Sequence, residues 1–236
     1  MSERVGRVGE LWVYPVKSLL GQPLEQVRCT ERGFFRDRWW AIEGVDGKFA
    51  SGKTSRRFRH MPGLLSMASY LDPTGTAWIR LPDGTALRVD DPLAARRVSE
   101  VVGETVSISS ERDVSHLDAE PVHLLTRSSL DWLAGQRPRD GVDRRRFRPN
   151  VLIDANETGL VEDGWVGREL EVGDAILSVS ARVVRCVMIT MPQDGVSAAP
   201  ALLRGLYDLT ESQLGVYGRV VREGTIRVGD DVVLRG

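Results

Sequence analysis

Cys186 is one of only two cysteines in a chain of 236 residues, and a lone thiol can act as a soft thiolate ligand to a metal. It follows an apolar alternating run (Ile176, Val179, Val183) and precedes the turn-rich stretch Met191-Pro192-Gln193-Asp194-Gly195. Three clusters of anion-binding groups lie upstream: Tyr14-Pro15-Val16-Lys17-Ser18, Arg36-Asp37-Arg38 and Arg148-Pro149-Asn150. One thiolate and several dispersed phosphate binders suggest a large anionic metal cofactor. That reading requires the clusters to converge in space, since each arginine alone also reads as a solvated surface group.

Competing chemistries are weaker. Gly47-Lys48-Phe49-Ala50-Ser51-Gly52-Lys53-Thr54 satisfies the pattern G-x-x-x-x-G-K-[ST] of a phosphate-binding loop. Such a loop follows a buried strand and opens a long helix, whereas here an Asp46-Gly47 turn precedes it and Pro62 limits any helix to about two turns. The alternative is a hairpin with an exposed Lys53 and Thr54. His60, His116 and His123 share no metal-ligand spacing and read as structural or exposed. Cys29 follows the alternating run 25–28 and reads as a buried small hydrophobe. The two cysteines form no disulfide framework and cannot supply the four ligands of a usual iron–sulfur cluster.

The elements that must position these groups are mostly short strands. Segments 8–14, 39–42, 77–81, 86–89, 151–153, 175–179 and 218–221 are β-branched or aromatic and punctuated by Gly, Pro and Asp. Asp83-Gly84 between two such runs predicts a hairpin. Helices are expected at 92–102, capped by Asp91 with Pro at the first position, at 128–134, ended by Gly135, and at 200–213. Leu170-Glu171-Val172-Gly173-Asp174 recurs as Ile226-Arg227-Val228-Gly229-Asp230, placing a Gly-Asp turn before an apolar strand each time. The class expected is β-rich α+β, with a boundary between about 90 and 120.

Composition excludes several classes. With 28% charged and 42% hydrophobic residues the chain is ordinary globular protein rather than disordered. Residues 1–10 lack a secretory apolar core and no apolar run approaches ~20 residues, so a cytoplasmic protein without a membrane span is expected. A net charge of −1 argues against a broad nucleic-acid surface. The charge is uneven: residues 1–60 carry twelve Lys/Arg against seven Asp/Glu, and residues 136–149 carry six against two.

Tyr14-Pro15-Val16-Lys17-Ser18, Arg36-Asp37-Arg38-Trp39-Trp40, Phe147-Arg148-Pro149-Asn150-Val151 and Arg185-Cys186, in this order and spacing, resemble the MOSC proteins. These are relatives of the carboxy-terminal domain of molybdenum cofactor sulfurase and include the mitochondrial amidoxime-reducing components. Gly224-Thr225-Ile226-Arg227-Val228-Gly229-Asp230 matches the family's closing strand. The resemblance implies an amino-terminal β-barrel-like domain over 1–105 packed on a MOSC β-barrel over 106–236. It implies the molybdenum cofactor, with Cys186 as the metal's protein ligand and Lys17, Ser18 and Arg38 on the pterin phosphate. Arg148 and Asn150 would also face the cofactor, and Thr126 and Ser129 align with the family's hydroxyl pair, although a helix cap explains them equally.

The implied activity is an oxidoreductase that reduces small N-hydroxylated substrates. Electrons would come from a separate ferredoxin, flavoprotein or cytochrome, because no redox module is encoded in these residues. The alternatives are a sulfur carrier or cofactor-handling protein with a Cys186 persulfide, and a nucleotide-binding protein through Gly47–Thr54. After the cysteine, amidoxime-reducing members carry Thr-Thr and then Asp-Pro. Here Ile189 replaces the first Thr and Pro192-Gln193 replaces Asp-Pro, so the substrate pocket is expected to differ.

Overall fold

Seven strands close a barrel in the computed structural model, which describes residues 2–137 and 141–236. Their order around the barrel is Val151–Ala155, Val122–Thr126, Gln213–Arg222, Ala175–Val184, Glu169–Val172, Asp231–Leu234 and Glu3–Val13, the last pairing back onto the first. Arg139 and Asp140 of the basic stretch 136–149 lie outside the described residues. Inward-facing Val8, Leu11, Leu124, Ile153, Leu177 and Val216 are each at most 1% exposed and fill the barrel. That is the burial expected when alternate residues of every strand face one core. Among the described residues only three α-helices of nine residues or more occur, and none is long and apolar enough to cross a membrane. The protein is β-rich α+β.

Antiparallel pairing dominates, with one exception that matters for the site. Val122–Thr126 runs parallel to Val151–Ala155, with Leu124 opposite Val151. A parallel pair needs a long crossover. Helix Arg127–Gln136 provides it, and the chain then returns through the arginine-rich turn Arg144–Arg146. Residues 147–150 are thereby delivered to one end of the barrel. Strand Ala175–Val184 reaches the same end, and register shifts between Val179 and Ala181 and between Arg182 and Val184 bend it just before Cys186.

A second core, including Val16, Leu19, Ile42, Met61, Met67 and Ile79, lies under two further sheets. One joins Val106–Ser110, Trp40–Gly44, Phe49–Ser51 and Phe58–His60; the other joins Ala68–Leu71, Ala77–Arg80 and Ala86–Arg88. The two halves of the chain interleave. Glu3–Val13 belongs to the barrel, while the late strand Gly224–Arg227 pairs with the early strand Gln26–Thr30.

Local chemistry sets most boundaries as read from the sequence. Asp83-Gly84 joins two paired strands, with Gly84 at φ 86°. Helix Pro92–Val102 has the expected bounds, with Asp91 accepting from Leu93 N at 2.8 Å and Gly103 closing it at φ 78°. Two helix ends differ. Gly135 does not stop the second helix, which runs to Gln136. The third spans only Leu202–Thr210, because Glu211 and Ser212 turn left-handed (φ 55° and 64°) and Gln213 opens a barrel strand.

Candidate functional site

At the end of the barrel that faces the second core, one cavity is lined by Lys17, Ser18, Arg38, Arg148, Asn150 and Cys186. The clusters dispersed in sequence therefore meet. Thr126 and Ser129 do not line it. Thr126 is the cap of helix Arg127–Gln136, its Oγ1 accepting from Ser129 N at 3.1 Å, and both hydroxyls donate at 2.7 Å to Oε2 of Glu162. Glu162 is fully buried, and burial pushes its carboxyl above the ordinary range. Both hydroxyls are thus engaged in the helix cap and on Glu162 rather than in the lining of this cavity.

The cradle is held in an unusual backbone state. Ser18, Arg38 and Arg148 have φ of 68°, 50° and 54°, left-handed values that non-glycine residues rarely adopt. Three such residues at one cavity mark the kind of local strain that functional sites retain. Tyr14 organises two of them. Its hydroxyl donates to Pro149 O at 3.1 Å, and the guanidinium groups of Arg38 and Arg148 lie 4.9 and 4.3 Å from its ring centre. Burial pushes the Tyr14 hydroxyl up to about 12, so the ring stays neutral between two cations.

Each predicted group has a distinct job. Lys17 is 3% exposed, and its Nζ donates to Asp118 Oδ1 at 2.6 Å and to His116 O at 2.8 Å. Burial lowers its pKa to about 8, with the Asp118 carboxylate opposing the fall. Ser18 Oγ donates to Ala50 O at 2.9 Å. Arg38 is paired with the fully buried Asp37, which also accepts from Tyr14 N at 2.8 Å. Asn150 spends its side chain internally: Oδ1 accepts from His123 N at 3.1 Å and Arg38 Nη1 at 3.4 Å, and Nδ2 donates to Trp12 O at 3.2 Å. It positions Arg38 more than it offers a free donor.

Several groups here have roles that the sequence did not suggest. Arg185, next to Cys186, donates to Phe147 O and approaches His123 Nε2 at 3.4 Å. His123 Nδ1 lies 3.3 Å from Arg148 O, so the tautomer protonated at Nδ1 satisfies both contacts. Burial, with Arg185 adding to it, holds the His123 imidazole well below its ordinary pKa. Arg146, 3% exposed, donates to the carbonyls of Gly141, Ile189, Met191 and Ser197 and so pins the loop that follows Cys186.

Lys53 is the main departure. It is half-buried, lies 5.1 Å from the Phe58 ring centre and lines the same cavity, rather than decorating an exposed hairpin. No helix follows Gly47–Thr54, so the phosphate-loop geometry is absent there. Cys29 lies in the barrel core, 0% exposed, and burial pushes its thiol up to about 12, as befits an inert hydrophobe.

Six cations line the cavity against two carboxylates, Asp118 and Glu120. Arg148 Nη1 and Arg185 Nε are buried without hydrogen-bond partners among the described residues. Buried donors normally find partners, so this arrangement fits a multiply charged anion with several acceptor oxygens. No cluster of three or more His, Cys, Asp or Glu that could hold a metal by itself occurs among the described residues. A metal here would have to arrive with ligands of its own, leaving the partly exposed Cys186 thiol as the protein's contribution.

Comparisons with known proteins bear on the family and the fold. The family profile described as MOSC domain matches residues 111–233, and the MOSC N-terminal beta barrel domain matches residues 5–119. Mitochondrial amidoxime-reducing component 1 of Mus musculus is 25% identical, covering 99% of this chain and 84% of that protein. Mitochondrial amidoxime reducing component 2 of Bos taurus is 25% identical, covering 98% and 83%. The crystal structure of YUAD protein from Bacillus subtilis superposes with a TM-score of 0.53 at 11% identity, over 99% of this chain and 98% of that one, a likeness of fold alone.

Proposed function

Since the chain belongs to the MOSC family, we propose that it is a molybdenum-cofactor-dependent reductase of small N-hydroxylated compounds, supplied with electrons by a separate redox protein. The observation that supports this best is the convergence of Cys186 with unpartnered Arg148 and Arg185 donors in a cavity where three non-glycine residues hold left-handed backbone. The relatives named amidoxime-reducing components supply the reaction class. The overall change is the reduction of R–NH–OH by two electrons and two protons to R–NH2 and water.

Arg38, Arg148 and Lys17 would hold the cofactor's phosphate, the arginines through paired charge-assisted bonds and Lys17 as a point charge. Asp37 and Asn150 fix Arg38, and Tyr14 fixes the spacing between Arg38 and Arg148. Lys53 and Arg185 extend the cation field toward Cys186, the one side chain here that would reach the metal. Bound, the cofactor supplies the two-electron redox chemistry that no side chain here can perform. Lys17 Nζ carries a proton at neutral pH, with two of its three donors already used on Asp118 and His116. Its third N–H is free for an anion.

The test is elemental and pterin analysis of protein from a host that makes the cofactor, followed by benzamidoxime reduction with a reduced artificial dye. The expected result is about one molybdenum per chain and benzamidine as product. Protein carrying labile persulfide sulfur at Cys186 and no molybdenum would replace this reading with the sulfur-carrier one.

A further inference from the structure

Beside the cradle lies a second, larger opening. A cleft of about 730 Å3 runs between the amino-terminal unit, at Met61, Leu64 and Ser66, and the loop after Cys186, at Met188, Met191 and Gln193. Met188 lines both openings, so one side chain walls the cleft from the cradle. Gly52 makes this wall possible. A Cβ there would stand 2.6 Å from Met191 Sδ and 2.8 Å from Met188 Cγ, so the two thioether chains occupy the space a side chain would take. Methionine is unbranched and polarizable, and it adapts to apolar faces of varied shape.

The cleft also contains an unanswered polar group. Gln193 is 9% exposed, and its Oε1 is buried with no hydrogen-bond partner among the described residues. Its position is fixed, because its backbone exchanges hydrogen bonds with Val196 at 3.0 and 2.8 Å and Arg146 holds the carbonyls of Met191 and Ser197 on either side. Leaving a buried acceptor unpaired is costly, so an acceptor fixed beside the apolar face of Met61, Leu64, Met188 and Met191, in a cleft whose other polar lining is His60, Ser66, Arg80 and Asp194, points to a ligand that brings an N–H donor.

We propose that this cleft binds the apolar body of the substrate, Met188 and Met191 packing against a flat hydrocarbon or aromatic face while Gln193 Oε1 accepts from an N–H on the same molecule. The N-hydroxyl end then passes Met188 into the cradle. That last clause rests on the reductase reading, whereas occupation of the cleft does not. The loop residues that depart from the amidoxime-reducing pattern, Pro192 and Gln193 among them, would then be the ones that set substrate preference.

The test uses the full chain with and without cofactor. Calorimetry measures binding of 2-naphthamidine, an amidinium with an apolar body that cannot be reduced, and steady-state kinetics compare 2-naphthamidoxime with hydroxylamine, which has no apolar body. Ser66 is exposed on the wall opposite Gln193, so Ser66→Trp fills the cleft. It should weaken 2-naphthamidine at least tenfold and raise KM for 2-naphthamidoxime comparably, with hydroxylamine turnover and molybdenum content unchanged. Gln193→Leu should weaken 2-naphthamidine, protonated at neutral pH, at least tenfold, the loss of one hydrogen bond from a charged donor, and leave 2-methylnaphthalene binding unaffected. Unaltered 2-naphthamidine affinity in both variants, or no binding by the wild type, would overturn the proposal. If the reductase reading alone is wrong, no substrate turns over, yet the calorimetric losses remain.

Discussion

Replacing Arg146 by methionine keeps length and apolar stem while deleting the guanidinium that gathers four backbone carbonyls. Those carbonyls, from Gly141, Ile189, Met191 and Ser197, belong to two segments far apart in sequence, of which only Ile189 lies in regular structure, the 3-10 turn Val187–Thr190. Hydrogen bonds from a charged donor contribute ~1.5–3 kcal/mol each, which would give roughly 6–12 kcal/mol if the four were independent. They are not, since burying the guanidinium costs several kcal/mol in return and the Met191 and Ser197 carbonyls sit where water can replace it. The net loss expected is about 2–4 kcal/mol, or roughly 4–16 °C in Tm for a chain of this length. Thermal unfolding should show that fall, and amide hydrogen exchange should rise across residues 188–197 while barrel strands stay protected. A Tm within 1 °C of wild type with unchanged exchange in the loop would refute the argument that Arg146 fixes the wall shared by cradle and cleft.

Other consequences are direct. Arg148→Ala and Arg38→Ala should each lower cofactor occupancy at least tenfold, the loss of a charged hydrogen bond to phosphate, while the cofactor-free protein still folds by circular dichroism; undiminished molybdenum in both would remove the cradle. Lys17 loses its proton as pH rises through about 8, so sulfate affinity of the cofactor-free protein should fall across that range. Lys17→Arg should flatten the profile, and parallel profiles would rule the lysine out. Burial holds His123 neutral in the fold while the unfolded imidazole protonates near ~6.5. The unfolded state therefore binds more protons as pH falls below that value, and stability declines. Urea midpoints between pH 7.5 and 5.5 should drop more for wild type than for His123→Gln, and equal drops would contradict this.

What the sequence made legible were groups whose chemistry is local. Lys17, Ser18, Arg38, Arg148 and Cys186 sit in short runs whose residue types announce an anion or a metal, and Asp91-Pro92 and Asp83-Gly84 fix a cap and a turn over two residues. What stayed hidden depends on partners far along the chain. His123 reads as an isolated histidine until it meets Arg148 and Arg185, 25 and 62 residues away. Thr126 and Ser129 look like ligand hydroxyls or a cap with equal justice, and their shared partner Glu162 lies more than thirty residues further on. Lys53 sits in a formal phosphate-loop pattern and nevertheless reaches the cavity through a sheet rather than a helix. A barrel was expected from the family resemblance, but the strand that closes it was not, because Glu3–Val13 pairs with Val151–Ala155 across more than half the chain.

The central claim is that Cys186 and the cation cluster hold one molybdenum cofactor between them. Molybdenum and released pterin should be quantified per chain in wild type, Cys29→Ser and Cys186→Ser, alongside benzamidoxime reduction normalised to bound molybdenum. The account predicts near-equal molybdenum and pterin in wild type and Cys29→Ser, with Cys186→Ser retaining pterin through the phosphate contacts while losing nearly all turnover. A Cys186→Ser protein as active per molybdenum as wild type, or wild type that binds neither molybdenum nor pterin from a competent host, would contradict it.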